Sequence, residues 1–346
     1  MSTRVSRPAL VVVAVAALAG VAPIADAAHR AAADQTDPAE QLLIGARHAA
    51  AEHDFTGVLE VSWSDAGGPR SNEVSVRSTN GVLALGDQGE VVVDGSSRFL
   101  HGTEGWLAVW RSATQPDGPS PSQKWDLTLH DGPVIAGRPT QQVDAADRGQ
   151  GRIRERLYFD DSTGLLLRRD QLDRRGDTVR AVGFVSIGEP PRAFFGVVPA
   201  QAPRTPSRAA PRQPQSMESV SLPFHAPGSA GNGFRLTGRY RDAAGTVQLF
   251  YSDGLFGVSV FEQKGELDWS GLPAGGDART VAGQDGRRYR TPAGVVTIWQ
   301  SDEVVYTAVA DAPDDQVDQL LADVASSGTP STLERVTNFV LGPFSW

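Results

Sequence analysis

The chain of 346 residues contains no cysteine. A disulfide framework, a cysteine nucleophile, a thiolate metal site and a lipid-modified cysteine at a processing site are therefore all excluded. Histidine is scarce too: His29, His48, His53, His101, His130 and His225 are the full set, and no two stand at the i, i+4 spacing of a helical metal pair. His48 and His53, five apart, fall on different helix faces. There is no Gly-x-Ser-x-Gly elbow and no phosphate loop ending in Gly-Lys-Ser/Thr. The run Gly228-Ser229-Ala230-Gly231-Asn232-Gly233 lacks the flanking strand and helix of a dinucleotide site. Asp160-Asp161-Ser162-Thr163-Gly164 reads as a turn rather than a catalytic acid pair. These absences leave no nominated catalytic residue, no metal site and no cofactor, and point away from an enzyme.

Long apolar runs are missing as well. The longest, Leu10 to Ala22, follows Arg4 and Arg7 and leads to Ala25-Asp26-Ala27. It is shorter than the roughly 20 residues of a membrane span, and the order of basic, apolar and small residues predicts a signal peptide over 1–27. An uncleaved signal anchor is the alternative. Removing residues 1–27 takes away Arg4, Arg7 and Asp26, leaving 319 residues with 30 basic against 40 acidic side chains. The resulting net charge of −10 disfavours nucleic acid or an anionic membrane surface as partner. The expected product is an exported, soluble protein of the periplasm or extracytoplasmic envelope.

Two domains are expected, separated by a linker over 190–217. Seven prolines and four arginines (Arg192, Arg204, Arg208, Arg212) lie between Pro190 and Pro214, a composition that blocks regular structure. Before it, a first domain over 36–189 opens with a well-signalled helix: Asp37 as cap, Pro38 at the first position, Glu40 in the first turn, and Leu42, Leu43, Ala46, Ala49 and Ala50 as its apolar stripe. From Phe55 the period becomes two, with Phe55, Gly57, Leu59, Val61 and Trp63 on one face. Further strands are expected near 72–77, 81–86, 90–94, 97–101, 105–111, 124–130, 134–145, 152–160, 164–173 and 177–187. One helix against many meandering strands predicts an α+β fold, a curved antiparallel half-barrel with the helix in its concavity. Such a layer can hold an apolar pocket, for which Phe55, Leu59, Val61, Trp63, Trp106, Trp110, Trp125, Leu165 and Leu167 are the candidates; a filled core is the alternative role for the tryptophans.

A smaller α+β domain is expected over 218–326, followed by an amphipathic tail, 327–346, carrying Leu333, Val336, Phe339 and Val340. Strands are expected near 234–241, 246–252, 255–263, 286–291, 294–300 and 303–310, then a helix starting at Pro313 with Val317, Leu320, Leu321 and Val324 on one face. Its clearest signal is the hairpin Tyr251-Ser252-Asp253-Gly254-Leu255-Phe256-Gly257-Val258-Ser259-Val260-Phe261. Here Asp253 and Gly254 are expected to form a two-residue type I′ turn, and Tyr251 and Phe256 are candidates for partner contact.

That hairpin, with Phe55-Thr56-Gly57-Val58-Leu59, Ile135-Ala136-Gly137-Arg138-Pro139, Leu157-Tyr158-Phe159-Asp160, Thr163 to Arg168, and Gly233-Phe234-Arg235-Leu236, resembles the MucB/RseB family. The resemblance spans both domains. It implies a LolA-like first domain that senses a lipid or lipoprotein. It also implies a second domain that grips the extracytoplasmic segment of a membrane anti-sigma factor, shielding it from the site-1 protease of an envelope stress response. Where the family is aromatic-rich ahead of Leu157, this chain is basic: Arg148, Arg152 and Arg154. A lipid or lipoprotein carrier of the envelope is the alternative function.

Overall fold

The computed structural model describes residues 37–65, 67–79, 82–85, 119–189, 215–216, 226–241, 245–292 and 294–327. The signal segment, the strands expected between 90 and 111 with Trp106 and Trp110, nearly all of the linker, and the tail beyond 327 lie outside these residues.

The first unit begins with α1 (Pro38–Glu52), whose Asp37 carboxylate accepts from the Ala39 N–H at 2.8 Å. Ala39, Leu43, Ala46 and Ala49 share its buried face, as the spacing predicts. Eight strands follow: β1 (Phe55–Asp65), β2 (Gly68–Thr79), β3 (Val82–Leu85), β4 (Trp125–Asp131), β5 (Thr140–Asp147), β6 (Ile153–Asp160), β7 (Leu166–Leu172) and β8 (Thr178–Gly188). They form one open antiparallel sheet in the order β3-β2-β1-β8-β7-β6-β5-β4, the half-barrel layer of an α+β fold. β1 pairs with β8, with an irregularity at Val58/Leu59. Beside that irregularity Gly57 has no room for a side chain, because a Cβ would run into the Ser186 carbonyl oxygen.

The second unit has nine strands: β9 (Gln215–Ser216), β10 (Ser229–Ala230), β11 (Phe234–Arg241), β12 (Val247–Ser252), β13 (Gly257–Lys264), β14 (Asp277–Val281), β15 (Gln284–Thr291), β16 (Gly294–Ser301) and β17 (Val304–Ala310). Their order is β10-β11-β12-β13-β17-β16-β15-β14, with β9 paired to β11. Helix α2 (Asp314–Ser327) buries Val317, Leu320, Leu321 and Val324 in the same hydrophobic cluster as Val247, Leu249, Tyr251, Val258, Val260 and Trp299. Val296, Ile298 and Val305, on the other face, form a small separate cluster with Leu267.

Two turns differ from expectation. The hairpin keeps its predicted facing, with Leu249 opposite Val260 and Tyr251 opposite Val258, but its loop has four residues, Asp253 to Phe256, between the paired Ser252 and Gly257. Only Gly254 has a positive φ, +94°. The Asp253 carboxylate closes the loop, accepting from the N–H groups of Leu255 (3.0 Å) and Phe256 (2.8 Å). An aspartate side chain thus supplies the turn that a two-residue I′ backbone would have made. Paired positive φ angles do occur at Ala136-Gly137 and Ala282-Gly283. The first pair explains why the strand expected from 134 starts at Thr140: Ile135 and Arg138 exchange backbone hydrogen bonds at 2.9 Å in a tight turn ahead of it.

Candidate functional site

Most of the pocket candidates form a filled interior. Phe55, Leu59, Val61, Trp125, Leu165 and Leu167 are all buried in one cluster with α1, and Phe55 packs edge-on against Phe184 with ring centroids 5.7 Å apart. Trp63 is half-buried and packs at the edge of the same cluster. It lines a cavity of about 390 Å³ between the units, together with Arg180, Arg290, Pro313, Asp314 and Asp315. Tyr251 and Phe256, the candidates for partner contact, are both 0% exposed in this arrangement. Phe256 packs against Trp125 of the first unit, ring centroids 5.3 Å apart, and Tyr251 donates to the Pro227 carbonyl at 3.2 Å. Asp160 caps its own turn, accepting from the Ser162 N–H and hydroxyl and from Arg138. Burial opposes its ionisation, yet these hydrogen bonds hold it at about 2.

The seam between the units is where charged chemistry gathers. The tip of the β12–β13 hairpin docks against the segment leading into β4, so closely that a Cβ on Gly254 would lie 2.5 Å from the Pro119 carbonyl oxygen. Beside it Lys124 reaches across, donating to the Asp253 carboxylate at 2.5 Å and to Gln316 of α2. The Lys124 ammonium also sits 4.7 Å from the Trp125 ring centroid and 4.4 Å from that of Phe234, a desolvated cation between two π faces. Asp253 therefore does two things at once: one oxygen shapes the loop and the other receives Lys124.

Next along the seam, Arg154 of β6 is fully buried and forks onto Asp315 at the start of α2, at 2.6 and 3.4 Å, while touching Asp147 of its own unit at 3.4 Å. Burial opposes ionisation of Asp315, but Arg154 and Arg174 hold its carboxyl below the ordinary range. Arg169 of β7 joins Glu155 and Asp311, and Arg180 of β8 joins the other Asp311 oxygen and donates to the Pro292 carbonyl at 2.9 and 3.1 Å. Burial pulls Arg169 below its usual pKa, with Asp311 opposing. None of these residues belongs to a sequence motif. Arg154, Glu155, Arg169 and Arg180 are charged side chains buried within strands, and that placement is the signal that could have found them.

The described residues hold no group of three or more His, Cys, Asp or Glu side chains arranged for a metal ion. Nor is any described helix long and apolar enough to cross a membrane.

Comparison with known proteins places this architecture. Residues 76–205 match the model of the MucB/RseB N-terminal domain. Over its first unit the chain is thus similar to the MucB/RseB family. A crystal structure of MucB, 20% identical, superposes with a TM-score of 0.50 over 86% of this chain and 99% of that one, so the family likeness in fold extends through both sheets. The Pseudomonas aeruginosa MucA/MucB complex aligns at 20% identity over 86% of this chain and 100% of that one, TM-score 0.47. A second structure, of MucB with periplasmic MucA, aligns at 22% identity over 85% and 100%, TM-score 0.46. No curated protein matches the sequence.

Proposed function

We propose that this MucB/RseB relative is an exported, non-enzymatic regulator that binds the extracytoplasmic segment of a membrane anti-sigma factor. Binding shields that segment from site-1 proteolysis and so restrains an envelope-stress sigma factor. The observation that carries the reading is the family match in the first unit together with a MucB-like fold across 86% of the chain. MucB itself is known in complex with MucA. The first unit is the proposed sensor of a lipid or lipoprotein, acting by changing how the units sit against each other. Sensing in this form requires a ligand with different affinities for two arrangements of the seam. The carrier alternative needs an apolar interior open to an acyl chain, whereas Leu59, Trp125 and Leu167 are packed at 0% exposure.

The test is co-purification of the full chain with the extracytoplasmic segment of an anti-sigma factor encoded beside it, and protection of that segment from the site-1 protease. Stable binding with slowed cleavage is the expected result. Absence of both would reject the regulator. A stoichiometric acyl ligand seen by native mass spectrometry, without peptide binding, would favour the carrier.

A further inference from the structure

The ion pairs crossing the seam are segregated by sign. Among the described residues every cation comes from the first unit (Lys124, Arg154, Arg169, Arg174, Arg180) and every anion from the second (Asp253, Asp311, Asp315). Chance placement on two globular surfaces mixes the signs. The second unit thus acts toward the first as a ligand bearing three carboxylates. It is also an incomplete one: buried Arg154 Nε and Arg169 Nη2 have no hydrogen-bond partner among the described residues even with the seam closed. The first unit's own carboxylates here, Asp147 and Glu155, do not satisfy these donors, and its seam face remains cationic.

We propose that this face of the first unit is a receptor for an acidic polypeptide segment, occupied in the closed chain by the second unit and open to competition from an acidic stretch of a partner protein. The chemistry favours carboxylates, because Arg154 meets both oxygens of Asp315 with two guanidinium nitrogens, the bidentate geometry of a carboxylate site. It favours an extended chain over a lipid headgroup layer, because Arg154 and Arg169 are buried beneath the second unit, and a ligand that replaces Asp315 and Asp311 there must reach between the units, which a flat layer cannot do. Exchange is energetically feasible, since burying an ion pair returns little net stability after desolvation and one set of carboxylates can replace another. The ligand chemistry follows from the seam alone and stands whether or not the partner is an anti-sigma factor.

The experiment uses the full chain and a fluorescent poly-glutamate peptide, with poly-glutamine and matched potassium chloride as controls. Binding is read by anisotropy and opening of the seam by small-angle scattering. Saturable binding accompanied by a larger radius of gyration is expected. Asp315→Asn weakens the resident ligand at the rim while leaving Arg154 its Asp147 partner, and should tighten the peptide by about tenfold. Arg180→Gln should abolish binding while circular dichroism shows the chain still folded. The proposal is overturned by lack of peptide binding to both the parent chain and Asp315→Asn. Binding without expansion, binding that survives Arg180→Gln, or expansion reproduced by the salt control would each overturn it too.

Discussion

Two places in this molecule bury carboxylates with opposite consequences. At the seam, Asp315 is surrounded by Arg154 and Arg174 and ionises more easily than a free aspartate despite its burial. In the second sheet, Glu262 on β13 is 2% exposed, faces Val247 on β12 and Tyr306 on β17, and its Oε2 has no hydrogen-bond partner. Burial alone pushes its carboxyl up to about 7; burial also raises Tyr306 and Tyr251, and the Glu262 charge adds to both. The contrast shows what decides the outcome of burial here. Desolvation acts on both acids, and the presence or absence of a guanidinium sets the sign.

The largest effect should come from breaking the paired side. Asp311→Ala leaves Arg169 and Arg180 buried without their shared anion, and should cost about 3–5 kcal/mol of stability; urea unfolding monitored by fluorescence measures it. A loss below about 1 kcal/mol would mean that the seam charges are effectively solvated.

The unpaired side should respond in the opposite direction. Glu262 has a folded pKa of about 7 against the ordinary 4.5, so the native chain holds a proton that the unfolded chain releases. Stability should fall as pH rises from the ordinary value to about 7 and level off above it. Glu262→Gln should therefore stabilise the protein at alkaline pH, by a term on the order of 3 kcal/mol, and add almost nothing in acid below the ordinary glutamate pKa. Thermal melts at the two pH values separate these outcomes, and equal shifts at both would refute the lone-carboxylate account. Asp315 works the other way. Its folded pKa is depressed, so its contribution is full above the ordinary aspartate value and is lost as pH falls through the folded one.

Smaller effects test the backbone that positions the seam. Gly254→Ala combines a left-handed φ of +94° with a collision at Pro119, and should cost about 1–3 kcal/mol. Its signature should be early loss of contact between the units, visible by hydrogen exchange at Trp125 and Phe256. Asp37→Ala removes only the cap of α1 and should cost about 1 kcal/mol, with the seam unaffected.

Local features of the fold were legible because their causes are local. Asp37-Pro38, the alternation from Phe55 to Trp63, and the apolar stripe of α2 each lie within a few residues, and each appears where the pattern puts it. β14 escaped notice because Asp277 to Val281 is short and four of its five residues are largely exposed or polar. The hairpin was located correctly while its turn was misread, since the dihedral preference of Asp-Gly lost to hydrogen bonding by the Asp253 side chain. The seam was not legible. Lys124 meets Asp253 across 129 residues of sequence and Arg169 meets Asp311 across 142, distances at which spacing carries no signal. The burial of Phe256 was hidden for the same reason: the Trp125 ring that packs on it comes from the other unit.

The distance between Lys124 and Asp253 also bears on the order of events during synthesis. A ribosome delivers the first sheet's strands well before the hairpin, and α2 with Asp315 and Gln316 later still. Until then Trp125 lacks Phe256 and the arginines of β6, β7 and β8 lack the second unit's carboxylates, so the first unit's flank stays uncovered. Closing the seam is a high contact-order step, slow by its nature.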